Sequence, residues 1–244
     1  MPIERNDLHY SLLAVECRYL KETAMLSSVY LLILMAAFAY LWGSIPSGYW
    51  MGKLLRGKDF DIRQYGSQKI GATNVLLTLG KVPALIVSFI DITKGAGPVL
   101  LATLVPLFNE NGWGPTIVGI MALIGHCCPV FIGFRGGRGV ATAVGGALVL
   151  SPLSFFISTF VAFSIAYSSR YVSLGSIVGC ITLFLCGIVF YSIDYVNPAF
   201  FAHVSLAQLI YQTLAPLVVI LFHRDNIGRL LAGTERKMRA KRIL

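Results

Sequence analysis

The segment Gly133-Phe134-Arg135-Gly136-Gly137-Arg138-Gly139 sets two arginines and four glycines between two apolar runs, the second opening where a helix should start. A helix start carries free backbone N–H groups and a partial positive charge. Glycines that let the backbone come close, with Arg138 beside them, would make a seat for an anion. A turn between two membrane helices, its cations anchored at the lipid surface, fits the same pattern, and spacing alone does not choose. Two other segments carry groups for a similar ligand. In Gly66-Ser67-Gln68-Lys69-Ile70-Gly71-Ala72-Thr73-Asn74 the side chains of Ser67, Thr73 and Asn74 can bond an anion, or equally brace the loop itself. His223, Asn226 and Arg229 recur every three residues, which makes one polar ridge on a helix. A solvated cationic tail accounts for Arg236 to Arg242 and leaves Asn226 unexplained.

Weaker signals lie inside the apolar runs. Asp91 and Lys94, three residues apart, can pair on one helix face as structural glue or pocket lining. Ser173 and Ser176 stand one helical turn apart, with Ser176 just inside an apolar run. His126 ends another run and reads as a packed residue behind a site. The four histidines and five cysteines show no metal-ligand spacing, so neither a metal nor a disulfide framework is expected.

Composition says what must position these groups. A hydrophobic share of 56%, a charged share of 13% and a mean hydropathy of +0.74 describe a polytopic membrane protein. Net charge is +9. No soluble basic domain remains once the apolar runs are removed, which excludes nucleic-acid binding. The runs are 27–52, 83–107, 113–133, 140–150, 153–168, 172–191 and 204–222. Ser151 and Pro152 divide what would otherwise be one helix of roughly 43 Å, too long for a hydrocarbon core of about 30 Å.

Lys and Arg fill alternate connections. They stand at Lys53 to Lys81, at Arg135 and Arg138, at Arg170 and after run seven, whereas 108–112, 151–152 and 192–203 contain none. This positive-inside pattern predicts an all-α fold of seven transmembrane helices, two of them short, with a cytosolic C-terminus. Residues 1–24 are expected to form a disordered extension or an interfacial helix, 25–235 a single membrane domain, and 236–244 a basic cytosolic tail.

The three basic segments together resemble those of the bacterial acyl-phosphate:glycerol-3-phosphate acyltransferases, the PlsY family. The resemblance covers roughly Leu41 to Glu235. It includes Gly43-Ser44-Ile45-Pro46, Gly71-Ala72-Thr73-Asn74, the glycine-rich segment, Arg170-Tyr171-Val172-Ser173 and the pattern from Asn226 through Arg229 and Gly233 to Glu235. It implies transfer of a fatty acyl group from acyl phosphate to glycerol 3-phosphate at the cytosolic face of the bacterial inner membrane. No cofactor and no obligate protein partner are implied. Ser67, Arg138 and Asn226 are the implied catalytic residues, and Lys69, Asn74, Gly136, Gly137, Ser176, His223 and Arg229 bind substrate. Three departures stand out. Gln68-Lys69 replaces a Gly-Asn pair, Arg138 stands where lysine is usual, and Leu77 falls where an arginine is expected. No His-x-x-x-x-Asp pair is present, since the fifth residue after His126 is Phe131 and after His203 is Gln208. On residue pattern alone, a small transporter or a non-catalytic binder of a phosphorylated solute remains the alternative.

Overall fold

The computed structural model describes residues 5–106, 109, 112–197 and 203–238, and these contain helices and connecting turns but no strand. Residues 1–4 and 239–244, the ends of the expected extension and basic tail, lie outside the described residues. Helix α1, Arg5–Gly43, runs unbroken from the N-terminal extension into the first apolar run. At 1.5 Å per residue it is about 58 Å long, far more than a bilayer core.

The first run is not one helix, as its hydropathy suggests. It breaks at Ser44-Ile45-Pro46, where the proline has no N–H to continue the ladder, and resumes as α2, Ser47–Arg56. A short α3, Ala72–Thr78, follows the first loop, and α4 spans Lys81–Leu104. Next come α5, Trp113–Cys127, and α6, Val140–Leu150. As the sequence predicts, the chain turns at Ser151 and restarts with Pro152 in the first turn of α7, Pro152–Ser169. Helices α8, Val172–Val196, α9, Leu206–Leu221, and α10, Arg224–Leu231, complete the chain.

Among the described residues five helical stretches are long and apolar enough to cross a membrane: Leu26–Arg56, Lys81–Leu104, Trp113–Ile132, Pro152–Ser169 and Val172–Val196. A sixth arises if α9 and α10, bent by 62° at Phe222-His223, count as one span. Helix α6 rises only about 16 Å and does not reach across a core of about 30 Å by itself.

The interior is tight and partly polar. Gly95 of α4 faces the carbonyl of Thr142 and Gly145 of α6 faces that of Ile92, each so close that a Cβ would collide with it. Tyr211 of α9 is fully buried and donates its hydroxyl to the Ala143 carbonyl at 2.9 Å, fixing α9 against α6. Gln208 of α9 donates to the Leu150 carbonyl, which satisfies an end of α6 that would otherwise be bare. Large apolar side chains such as Leu85, Phe89, Phe160 and Phe163 point outward, as expected where the surroundings are lipid.

Candidate active site

The first loop is built around Asn74. Its side chain is buried, its carbonyl oxygen accepts the Ser67 N–H at 2.7 Å, and its amide donates to the carbonyls of Lys69, Tyr65 and Ile62 at 2.7, 3.1 and 3.1 Å. That carboxamide is fully committed within the loop. Asn74 therefore shapes the Ser67 turn. Gly66, at φ 55°, and Gln68, at φ 59°, take the left-handed turns on either side of Ser67. The Ser67 hydroxyl is buried and has no hydrogen-bond partner among the described residues.

The glycine-rich segment folds back on the end of α5. Gly136 N–H donates to the Cys127 carbonyl at 3.2 Å and Gly137 N–H to that of His126 at 3.1 Å. A Cβ on Gly136 would strike the same carbonyls, and one on Gly137 would strike the His126 imidazole. Packing against the end of α5 explains why these two positions need glycine, and neither is among the residues lining the cavity described below. Gly139, at φ 83°, starts α6. Arg63 joins the two loops. Its guanidinium grips Asp61 and also donates to the Ile132 carbonyl at 3.0 Å. The Arg63 hydrogen bond holds the Asp61 carboxyl below its ordinary range despite partial burial.

The third wall is α10 and the segment after it. Glu235 accepts from Ser173 and Asn226 on one oxygen, both at 2.7 Å, and from Arg229 on the other, also at 2.7 Å. Residues 234–238 return to the start of α8, where Met238 N–H donates to the Arg170 carbonyl. Burial alone would raise the Glu235 pKa, but donation from Ser173, Asn226 and Arg229 holds it below the ordinary value.

Between these walls lies an open cavity of about 540 Å³. Ser67, Lys69, Arg138 and Arg229 all line it, with Gln68, Asp225 and Thr234. Arg138 is largely buried and its Nε has no partner among the described residues. Burial first, and then the neighbouring Arg229, lower the pKa of its guanidinium. An anion in the cavity would relieve both strains. Asn226 Oδ1 is also buried and has no partner among the described residues. His223 is buried at the α9–α10 bend, its Nδ1 donating to the Val219 carbonyl at 2.8 Å, and it does not line the cavity.

Ser176 stands apart. Its hydroxyl donates to the Val172 carbonyl of its own helix at 2.9 Å, and it is Ser173 that reaches the site. Sequence reasoning missed Ser173 and Glu235 as partners. Their only signal was that both fall inside segments of matching motif, with no spacing that joins residue 173 to residue 235.

Fold and site together define a multi-span helical membrane protein with a cation-lined, anion-seeking cavity where its basic loops converge. The glycerol-3-phosphate acyltransferase family model matches residues 33–233, and the chain belongs to that family. It is 40% identical over 219 residues to glycerol-3-phosphate acyltransferase 3 of Dehalococcoides mccartyi, covering 86% of this chain and 97% of the relative. It is 41% identical to the glycerol-3-phosphate acyltransferase of Aquifex aeolicus over 205 residues, covering 84% and 98%. Among solved structures it superimposes on PlsY (YgiH), an integral membrane glycerol 3-phosphate acyltransferase in its glycerol 3-phosphate form. That match has a TM-score of 0.74 at 36% identity, covering 85% of this chain and 96% of the other. The lysophosphatidic acid form of the same protein matches with a TM-score of 0.71.

Proposed function

We propose that this chain transfers a fatty acyl group from acyl phosphate to the 1-hydroxyl of glycerol 3-phosphate, giving lysophosphatidic acid for phospholipid synthesis. The observation that carries the reading is the convergence of Ser67, Lys69, Arg138 and Arg229 on one cavity. Both substrates are phosphorylated and would repel one another in a neutral site. Lys69, Arg138 and Arg229 offset that repulsion and orient the two.

In the reaction the glycerol oxygen bonds to the acyl carbonyl carbon. The bond from that carbon to the phosphate oxygen breaks, and phosphate departs with the electron pair. The hydroxyl proton passes to the departing phosphate, so an activated anhydride needs no strong base. The unpartnered Ser67 hydroxyl and Arg138 Nε supply donors for the developing negative charge. Asn226, held by Glu235, keeps a buried carboxamide oxygen without a partner among the described residues.

The membrane arrangement belongs to the same proposal: seven crossings in the bacterial inner membrane, with the site and the C-terminus cytosolic. Arg138, before α6, lines the cavity together with Arg229 and Thr234, and the Arg170 carbonyl, after α7, accepts from Met238 N–H of the segment that follows α10. Helix α6 therefore leaves that end and α7 returns to it, which supports α6 as a short seventh crossing. The alternation of basic connections supports the cytosolic assignment.

The test is purified protein offered glycerol 3-phosphate with acyl phosphate and with acyl-CoA separately. Lysophosphatidic acid is expected from acyl phosphate alone. Transfer only from acyl-CoA would overturn the donor, and no product from either would overturn the enzyme in favour of a binder. A second prediction concerns Leu77, which lies half-exposed on α3 outside the cavity lining. Lys69 and Arg138 together take the place of the arginine that the family resemblance leads one to expect there. Leu77→Arg is accordingly expected to change the acyl-transfer rate by less than about threefold, or under about 0.7 kcal/mol. A large gain would mean that nothing compensates.

A further inference from the structure

We infer that His126, backed by a buried cluster of Ser47, Asp91 and Lys94, is a positioning residue that fixes Gly137 and, through it, the Arg138 guanidinium at the cavity. The inference rests on the acyl-transfer reading of that cavity.

Asp91 and Lys94 lie one turn apart on α4, each 1% exposed, with Lys94 Nζ 2.6 Å from Asp91 Oδ1. Ser47, in the first turn of α2, donates its hydroxyl to the same oxygen at 2.6 Å and accepts from Lys94 at 3.0 Å. The charges in this cluster are paired and hydrogen-bonded. His126 approaches it from the last turn of α5, buried, with Nδ1 3.7 Å from Asp91 Oδ1 and without a hydrogen-bond partner among the described residues. Its opposite edge, Nε2, fills the place where a Gly137 side chain would stand. Main chain adds a second hold, since Gly137 N–H donates to the His126 carbonyl. On the far side of Arg138, Thr142 in the first turn of α6 donates its hydroxyl to the Asp91 carbonyl at 3.0 Å. Arg138 thus hangs between two anchors, Gly137 on His126 and Thr142 on Asp91.

Packing alone would be served better by an apolar side chain. A buried ion pair is often no more stabilising than a hydrophobic replacement, and an unpartnered buried ring nitrogen adds a cost of its own. What the polar set supplies is a fixed direction. Three helices, α2, α4 and α5, are registered at one point, and the imidazole edge sets how far the glycine-rich segment can approach.

The experiment is a double-mutant cycle on full-length protein in detergent, reading both calorimetric binding of glycerol 3-phosphate and steady-state acyl transfer. His126→Ala is expected to lower kcat/KM for glycerol 3-phosphate by up to about 10²-fold, the scale of a misplacement near 1 Å, and to weaken its binding. In an Arg138→Ala background the same change is expected to cost nothing further. Gly137→Ala should fall similarly, because its methyl displaces the ring, and adding His126→Ala should recover part of the loss. Equal losses with and without Arg138, or unimpaired His126→Ala, would overturn the inference. His126→Gln serves if the alanine variant does not fold, and failure of both to fold would assign the cluster to stability and likewise overturn it. Wild-type protein that binds glycerol 3-phosphate without transferring acyl groups would sink the acyl-transfer reading, with the binding cycle still deciding the role of His126.

Discussion

Arg138→Ala is expected to reduce kcat/KM for acyl transfer by about 10²–10³-fold, the loss of ~3–4 kcal/mol of transition-state stabilisation that follows removal of one preorganised donor. Thermal unfolding in detergent should stay close to wild type. The reason lies in the environment of the guanidinium. It is crowded by Arg229 and carries a buried Nε with no partner among the described residues, so deletion removes an unfavourable burial rather than a stabilising contact. A group that costs its own protein energy and lines a cavity suits a ligand that brings the opposite charge. Arg138→Lys keeps the charge but loses the planar fork, and an intermediate loss is expected. Ser67→Ala should cut turnover on a similar scale, because the hydroxyl it removes is buried at a residue lining the cavity and has no hydrogen-bond partner among the described residues. Initial rates in membranes supplied with acyl phosphate and glycerol 3-phosphate decide both. Wild-type-like rates in the two variants would overturn the site.

The elements were legible in the sequence where a local rule governs them. Hydropathy marked the long helices, and Ser151-Pro152 ended α6 because proline lacks a donor and disfavours a helical residue before it. The break at Pro46 obeys the same rule, yet it was concealed by the continuous apolar character of the first run. The site was legible as a set of cationic segments but not as a set of contacts. A loop asparagine reads alike whether it binds a ligand or braces a turn, and only the four bonds of Asn74 separate the two. Gly136 and Gly137 read as room for a ligand, and nothing in their spacing shows that the Cβ side of each also packs on the end of α5. Ser173 and Ser176 differ by which way one turn of helix points, and that depends on where residues 234–238 return. Contacts of that kind are set by tertiary packing, which no local spacing encodes.

Glu235→Ala is expected to lower stability by about 2–3 kcal/mol, in the range for charged hydrogen bonds lost from a buried site, and to eliminate activity at the same time. The Glu235 side chain is 7% exposed and closes α8 onto α10 through Ser173, Asn226 and Arg229. Without it Asn226 loses the bond that orients its carboxamide, and Arg229 stands unneutralised beside Arg138. Glu235→Gln separates the two consequences. It preserves the shape, so part of the stability should return, but it offers one donor where two acceptor oxygens served, so activity should not. The sign of the pH effect follows from the lowered pKa. A carboxyl depressed in the folded state contributes fully above its unfolded value, near 4.5, and the contribution fades as pH falls through the lower folded value. Unfolding temperature in detergent should therefore drop more steeply below that point for wild type than for Glu235→Gln, whose side chain does not titrate. Parallel acid profiles for the two proteins would show that Glu235 does not latch the site.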